Sequence, residues 1–506
     1  MQRSRVRRVG ALVLGLSLVA AACGDDDGAS GDTTAPAGSA APGTTMAPGT
    51  TMAPGTTAGP GTTMAPGTTM APGTTMAPGT TAPGSTAPGT TTAPAGDAEC
   101  GSAPSDTTDG AIAGFAGTTP AGEITEDFQA RLCEVDPNLE DFNYAAEAYD
   151  AVTIVALATL IAGDDGSAHA SEINGVTRDG EVCTTFADCA ALIEAGTDID
   201  YDGASGPIQF AGNGEPLEAS YGLFKMGDNN RIDQSLTEYI TRTGPPELDV
   251  DQVPVEGNRE GDGILTFGSI LPQTGSLAYL GPPEFAGFDL GIQEINEAGG
   301  VLGEDVVGIK GDSGDTSTDT ANQTVDRQLS EDVDAIIGAA SSSVTLTVID
   351  KVSSAGVTLF SAANTSTELS DYPDKGLYFR TAPPDIYQGD VIGQFVIEDG
   401  NQTVSILNLN DSYGNSLAAQ AKATIEESGG EIVTEKTYDP AATSFDSDID
   451  EIVAADPDAI IVIGFNESSR ILRTMVEKGV GPRDKMVYGC DGNIGNALGV
   501  DFDAGN

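Results

Sequence analysis

The chain has 506 residues, 77 acidic against 22 basic side chains, a formal net charge of −55, one histidine and no tryptophan. An acidic excess spread along the chain argues against nucleic acid and anionic lipid surfaces as partners, because phosphate recognition needs clustered Lys and Arg. A lone histidine, His169, and no C-x-x-C pair leave no basis for a zinc site, while the length allows two to three domains.

Residues 1–22 begin with Arg3, Arg5, Arg7 and Arg8 and continue into ALVLGLSLVAAA, the layout of a secretory signal whose apolar part is too short for a permanent span. Ala20, Ala21 and Ala22 before Cys23 resemble the lipobox of bacterial lipoproteins, which implies lipidation of Cys23 and a membrane anchor outside the cytoplasm. Residues 23–99 then form a Thr/Pro/Gly/Met tract built on TTMAPG. Such a composition lacks the apolar residues for a core and reads as a spacer, with an end-to-end distance of about 45 Å if it behaves as a flexible coil.

The segment 100–242 reads as one strand, AIAGFAG (Ala111 to Gly117), and then helices over Glu123 to Leu132, Tyr144 to Ala162 and Phe186 to Glu194. It ends in a hairpin-like pair, SGPIQFAGNGEPLEASYGLFKMGD, turned at Gly-Asn-Gly. One strand, several helices and a late hairpin cannot bury a core of their own. Residues 243–262 read as a linker. Cys183 and Cys189 are close enough for a local disulfide, leaving Cys100, Cys133 and Cys490 unassigned, with a Cys100–Cys490 staple as one option.

The segment 263–506 alternates short apolar strands with helices. GILTFGSIL, DVVGIKG, DAIIGAA, VTLFSAAN, TVSILNLN, EIVTEKTY, AIIVIGF and KMVYG are the strands, and YFRTAPPDI breaks the rhythm as a crossover. This pattern predicts βαβ units and parallel sheets covered on both faces.

LPQTGSLAYLG, INEAGGVLG, GAASSSVT, LFSAANTSTEL, YFRTAPPD, NDSYG and YGCDG together resemble the first two thirds of the leucine/isoleucine/valine-binding proteins of bacterial ABC importers. YAAEAYDAV, GVTRDGEVCTTFADC and the hairpin resemble the last third of the same family. The resemblance implies an α/β fold of two doubly wound lobes with a hinge, the type I periplasmic binding protein fold, in circularly permuted order. Lobe 1 is expected over about 263–383 plus 118–205, and lobe 2 over about 386–506 plus 108–117 and 206–235. A broken tandem and a swapped dimer are the rival accounts of the reversed order.

In doubly wound sheets ligands bind beyond the carboxyl ends of the strands. The loops there hold Tyr279, Ser341, Ser342, Ser343, Ala363, Thr365, Tyr413, Phe465 and Asp491. The serine run opens a helix, whose unpaired N–H groups welcome a carboxylate, although a serine there can be only an N-cap. The resemblance assigns the α-carboxylate and α-amino groups of an amino acid to Ser342 or Ser343, the Ala363 backbone and the Thr365 hydroxyl. It sets Asp491 against the ammonium and makes Tyr279, Tyr413 and Phe465 the aromatic wall. Phe465 stands where relatives often carry tyrosine, so other apolar amino acids fit as well as leucine.

No catalytic residue and no cofactor are expected, since His169 lies away from every strand-end loop. ABC permease subunits are the expected partners. A sensor or surface module for another small solute, such as a short amide, is the alternative.

Overall fold

A computed structural model describes residues 100–505. The signal segment, Cys23 and the spacer expected over 23–99 lie outside the described residues.

The first segment runs β1 (Ala116–Pro120), α1 (Glu126–Val135), α2 (Ala145–Ala162), α3 (Ile173–Val176), β2 (Glu181–Cys183), α4 (Phe186–Glu194), β3 (Ile199–Tyr201), β4 (Glu218–Lys225) and β5 (Glu238–Thr243). The second begins with β6 (Thr266–Ile270), α5 (Gly281–Glu297), β7 (Val307–Ile309), α6 (Thr320–Ser330), β8 (Ala335–Gly338), α7 (Ser342–Ser354), β9 (Thr358–Ser361) and β10 (Tyr378–Arg380). It continues with α8 (Asp385–Glu398), β11 (Thr403–Leu409), α9 (Ser412–Glu427), β12 (Glu431–Tyr438), α10 (Asp446–Ala455), β13 (Ala459–Ile463), α11 (Ser468–Glu477), β14 (Met486–Gly489) and α12 (Asn496–Ala504).

Two large sheets result, each at the centre of one lobe, beside a separate two-stranded pair of β2 and β3. In lobe 1 a parallel five-stranded sheet has the order β10-β9-β8-β6-β7, its strands other than the exposed edge strand β7 buried on both faces by separate apolar clusters. In lobe 2 a seven-stranded sheet has the order β12-β11-β13-β14-β1-β4-β5. Strand β1 lies parallel to β14, with Ala116 opposite Tyr488, and antiparallel to β4. The first segment therefore completes a sheet that the second segment begins.

The same division of labour holds in lobe 1. Helix α2 is apolar almost throughout and long enough to cross a membrane, but it is largely buried and packs along α5 of the second segment. Contact is closest at Gly287, where an added Cβ would stand 2.0 Å from the Ala145 carbonyl oxygen. The two segments also meet where the described chain starts and stops. Asp503 accepts bonds from Ser105 (3.2 Å), Asn230 (2.7 Å) and Arg231 (2.9 Å).

Several boundaries differ from the sequence reading. The strand expected at Ala111–Gly117 starts at Ala116, because residues 111–114 form a turn closed by Gly114 at φ +92°. It runs through Pro120 in the lobe 2 sheet, past the lobe boundary expected after residue 117. The Gly-Asn-Gly turn forms, with Ala211 N–H donating to Glu215 O at 2.8 Å. That turn belongs to lobe 1, however: Phe210 packs on Phe360, and Glu215 pairs with the fully buried Arg380.

Part of the expected linker region is also structured. Strand β5 extends through Thr243, and its mostly exposed, polar-rich sequence EYITRT hid it from an apolar-run reading. Residues beyond it lie along lobe 1 through Val253 N–H to Gly212 O, Glu256 N–H to Lys375 O and the Arg259–Asp334 ion pair.

Cys183 is bonded to Cys189, and Cys100 to Cys133. The Cys100–Cys490 staple is thereby overturned: Cys490 is fully buried as a free thiol at the end of β14, its Sγ 3.6 Å from the Val462 carbonyl oxygen. The Cys100–Cys133 bridge spans 33 residues against 6 for the other. Loop-closure entropy then predicts that Cys133→Ser lowers stability by about 4 kcal/mol and Cys189→Ser by about 2 kcal/mol. Urea unfolding of the two variants without reductant measures the difference, and equal losses would contradict it.

Candidate functional site

Helix α7 starts at the carboxyl end of β8, where Ser341 is the N-cap and its hydroxyl accepts from Val344 N–H at 3.4 Å. The first N–H groups of a helix have no partner in the preceding turn, so this start carries donors and positive dipole. Ser342 follows, buried, its Oγ accepting from the N–H groups of Thr365 and Ser366 at 3.3 Å each. That links the helix start to the loop after β9, in which Ala363 N–H is held by Ser361 Oγ at 3.2 Å.

Asp491 enters from the other lobe, at the end of β14. The turn that carries it is fixed by Asn493, which accepts from Cys490 N–H at 2.8 Å and donates to Val462 O at 2.9 Å. Next to it Gly492 is packed so closely that a Cβ would lie 2.6 Å from the Gly464 carbonyl oxygen. The Asp491 carboxyl accepts from Tyr144 Oη at 2.7 Å and from Tyr413 Oη at 2.8 Å. Burial pushes it above the usual carboxylate range, and the two phenols oppose the shift.

Tyr413 and Phe465 stack with ring centroids 5.5 Å apart and planes at 11°. Glu467 accepts from Phe465 N–H at 2.9 Å and so holds the loop that presents the ring.

These groups surround one small cavity with an empty volume of ≈ 270 Å³. Of the residues expected at the site, Ser341, Ser342, Ala363, Tyr413, Phe465 and Asp491 line it. Ser343, Thr365 and Tyr279 do not. Ser343 spans the cleft instead, donating to Asp411 Oδ2 at 3.2 Å and accepting from Ser412 N–H at 3.0 Å. Thr365 is buried behind Ser342, and the Tyr279 hydroxyl donates to the Gly492 carbonyl. Further bonds across the cleft join Ser366 to Ser412 at 2.7 Å and Thr367 N–H to Ser416 Oγ at 3.0 Å. The cleft is closed.

Sequence reading missed Tyr144, Leu277, Leu280, Ala340 and Gly492 in the lining. Leu277, Leu280, Ala340 and Gly492 sit inside phrases already singled out. Tyr144 opens both a helix and the phrase YAAEAYDAV, but nothing in that phrase marks it as a cavity residue, and its left-handed backbone, φ 63°, is visible only in the fold. His169, buried in lobe 1 against Thr358 Oγ1 at 2.8 Å, plays no part here.

One helical turn beyond Tyr144 lies Glu147, buried and pushed up to about 8 by burial and then by Asp150. A carboxyl raised in the folded state stabilises fully below its unfolded value and loses that contribution as pH climbs through about 8. Glu147→Gln, which does not titrate, should therefore match the wild type near pH 5 and exceed it by on the order of 3 kcal/mol at pH 9. Parallel stability curves for the two proteins across that range would refute the assignment.

The sequence of the second segment decides the family, since residues 265–504 match the family model described as periplasmic binding protein. Residues 265–504 belong to the periplasmic binding protein family. The two-lobed architecture, with a parallel sheet in lobe 1, a mostly parallel one in lobe 2 and a cavity at the strand ends between them, is the type I form of that fold.

Among curated proteins, the chain is 27% identical over 214 residues to a leucine-, isoleucine-, valine-, threonine- and alanine-binding protein of Pseudomonas aeruginosa, covering 42% of this chain and 57% of that one. It is 27% identical over 213 residues to the chemotactic signal transduction system substrate-binding protein BasB of Halobacterium salinarum, covering 40% and 51%. The chain thus spans little more than half the length of these relatives. Among solved structures it is similar to the branched-chain amino acid transporter substrate binding protein LivJ of Streptococcus pneumoniae in complex with isoleucine. That similarity has 27% identity and TM-score 0.43, covering 48% of this chain and 68% of that one.

Proposed function

We propose that the chain is the extracytoplasmic substrate-binding protein of an ABC importer, anchored through a lipid on Cys23, and that it carries an amino acid, branched-chain or otherwise apolar, to permease subunits. The reading is supported by a single arrangement. A buried carboxyl from lobe 2 and a serine-bearing helix start from lobe 1 line the same apolar-walled cavity. A zwitterion supplies the charge each side lacks: its carboxylate suits the helix start, and its ammonium suits Asp491. No catalytic role is assigned.

The segment order is read as a circular permutation within one monomer, supported by the pairing of β1 with β14 and of α2 with α5. Calorimetric titration with the twenty amino acids tests the function. Saturable heat with leucine, isoleucine or valine supports it, and no heat with any amino acid overturns it. A sensing role is the second reading, favoured by the name of the Halobacterium relative. Binding of short amides without amino acids would support that reading instead.

A further inference from the structure

Besides the crossover that follows β10, the chain joins the lobes at its first described residues. Cys100 belongs to lobe 1: it is bonded to Cys133 of α1 and packs beside Phe128, Leu132 and Leu139. Gly101 stays with it, its N–H donating to the Leu139 carbonyl at 2.7 Å. The left-handed backbone there, φ +79°, and a Phe142 ring 2.4 Å from where a Cβ would stand both call for glycine. Two residues later the chain belongs to lobe 2. Arg231, in the turn between β4 and β5, donates to the carbonyls of Ala103 at 3.0 Å and Pro104 at 3.2 Å, and is itself paired with Asp503 of α12 at 2.9 Å. Ser105 and Thr107 donate to the same Asp503 carboxylate, at 3.2 and 3.3 Å.

This joint lies at a seam that opening must part. The loop 136–143, to which Gly101 is tied through Leu139, meets the start of α12 through Asn496 Nδ2 to Glu140 O at 2.9 Å and Asn143 Nδ2 to Ile494 O at 3.3 Å. It leads into Tyr144, whose hydroxyl donates to Asp491 in the cavity. Moving the lobes apart breaks these hydrogen bonds, each worth about 1 kcal/mol net, but not the disulfide.

We propose that residues 100–103 form a strap that limits how far the cleft opens and so holds the ligand in. The inference rests on the receptor reading above, in which the lobes part to admit and release a solute. Three residue steps from Cys100 to Ala103 reach at most about 11 Å when fully extended, so the two anchors cannot separate further while the disulfide and the Arg231 bonds hold. Arg231 is 6% exposed, and releasing the strap would strip acceptors from a nearly buried guanidinium, the costlier kind of loss. Restricting the open form raises the closed fraction, and apparent affinity rises with that fraction.

The test is the distance between spin labels on Glu297→Cys, at the end of α5 in lobe 1, and Glu477→Cys, at the end of α11 in lobe 2, both exposed, in the full chain without reductant. Six Gly/Ser residues inserted between Ser102 and Ala103 keep the disulfide and add up to about 20 Å of slack, so the ligand-free variant should show a population longer than the wild type by at least about 5 Å. Cys100→Ser with Cys133→Ser should show the same population. The same six residues inserted after Gly429, between α9 and β12 within lobe 2, should change nothing. In calorimetry with each of the twenty amino acids, the strap insertion should bind the best of them about tenfold more weakly, the loss that follows when only a tenth of the molecules stay closed. The strap is overturned if lengthening it leaves the distances or the affinity as in the wild type, if the insertion after Gly429 opens the cleft as far, or if the ligand-free wild type already shows the longer population. If no amino acid binds the wild type, the amino-acid reading falls and the ligand-free distances alone decide the strap.

Discussion

Asp491→Ala is expected to abolish amino-acid binding while leaving the fold in place. The carboxyl is 4% exposed and is held by two phenol hydroxyls, with the Gln388 side chain and the Gly492 N–H also favouring its ionised form, and no protein cation among them competes with an incoming ammonium. Removing one member of a buried pair costs about 3–5 kcal/mol, because the remaining charge stays buried and uncompensated. Affinity should therefore fall by roughly two to three orders of magnitude. Stability should change less. Two tyrosine hydroxyls lose an acceptor, but a carboxyl whose charge burial disfavours is removed with it. Asp491→Asn separates charge from geometry, since an amide can still accept from one phenol but carries no charge. Both variants should lose binding in the titration that detects the wild-type ligand. An alanine variant binding within tenfold of the wild type would remove Asp491 from the site.

The second large effect concerns the order of the segments. Residues 265–505 produced alone should not fold cooperatively. They would lose β1, β4 and β5 from the lobe 2 sheet and α2 from the flank of α5. Among the side chains lost, Ile112, Phe115, Val152, Ile154, Val155 and Leu157 are fully buried. At about 2 kcal/mol for each large apolar side chain, these six alone contribute about 12 kcal/mol, comparable to the roughly 5–15 kcal/mol by which domains are stable. Strand β14 would also become an unpaired sheet edge, a template for aggregation. A chain reordered as 265–505 followed by 100–243 should instead melt in one transition and bind as the natural order does. A soluble, binding-competent 265–505 fragment would defeat the permuted-monomer account.

Much of this architecture could be read from residue patterns. The alternation of apolar runs and helices from GILTFGSIL to KMVYG gives the parallel parts of both sheets because strands buried on two faces have to be continuously apolar. Strand β5 escaped because an exposed edge strand carries no such demand. The start of β1 was misread because Ala-Ile-Ala-Gly-Phe-Ala-Gly is apolar in a turn as well as in a strand; the positive φ of Gly114 ends the turn, and composition does not reveal it.

The candidate site divides along the same line. Ser342, Ala363, Tyr413, Phe465 and Asp491 sit at strand ends, and strand ends are local features that short stretches of chain specify. Which of them share a cavity is not local. Tyr144 meets Asp491 across 347 positions, and Ser343 turned from the cavity to Asp411 in the opposite lobe. The sequence by itself determined the strands, the helix starts and the polar groups placed at them, since backbone propensity and periodic burial act over a few residues. Only the tertiary structure decided which hydroxyl caps a helix and which one bridges the lobes. Those outcomes depend on distances between groups far apart in the chain, and on the loss of water when the cleft closes over them.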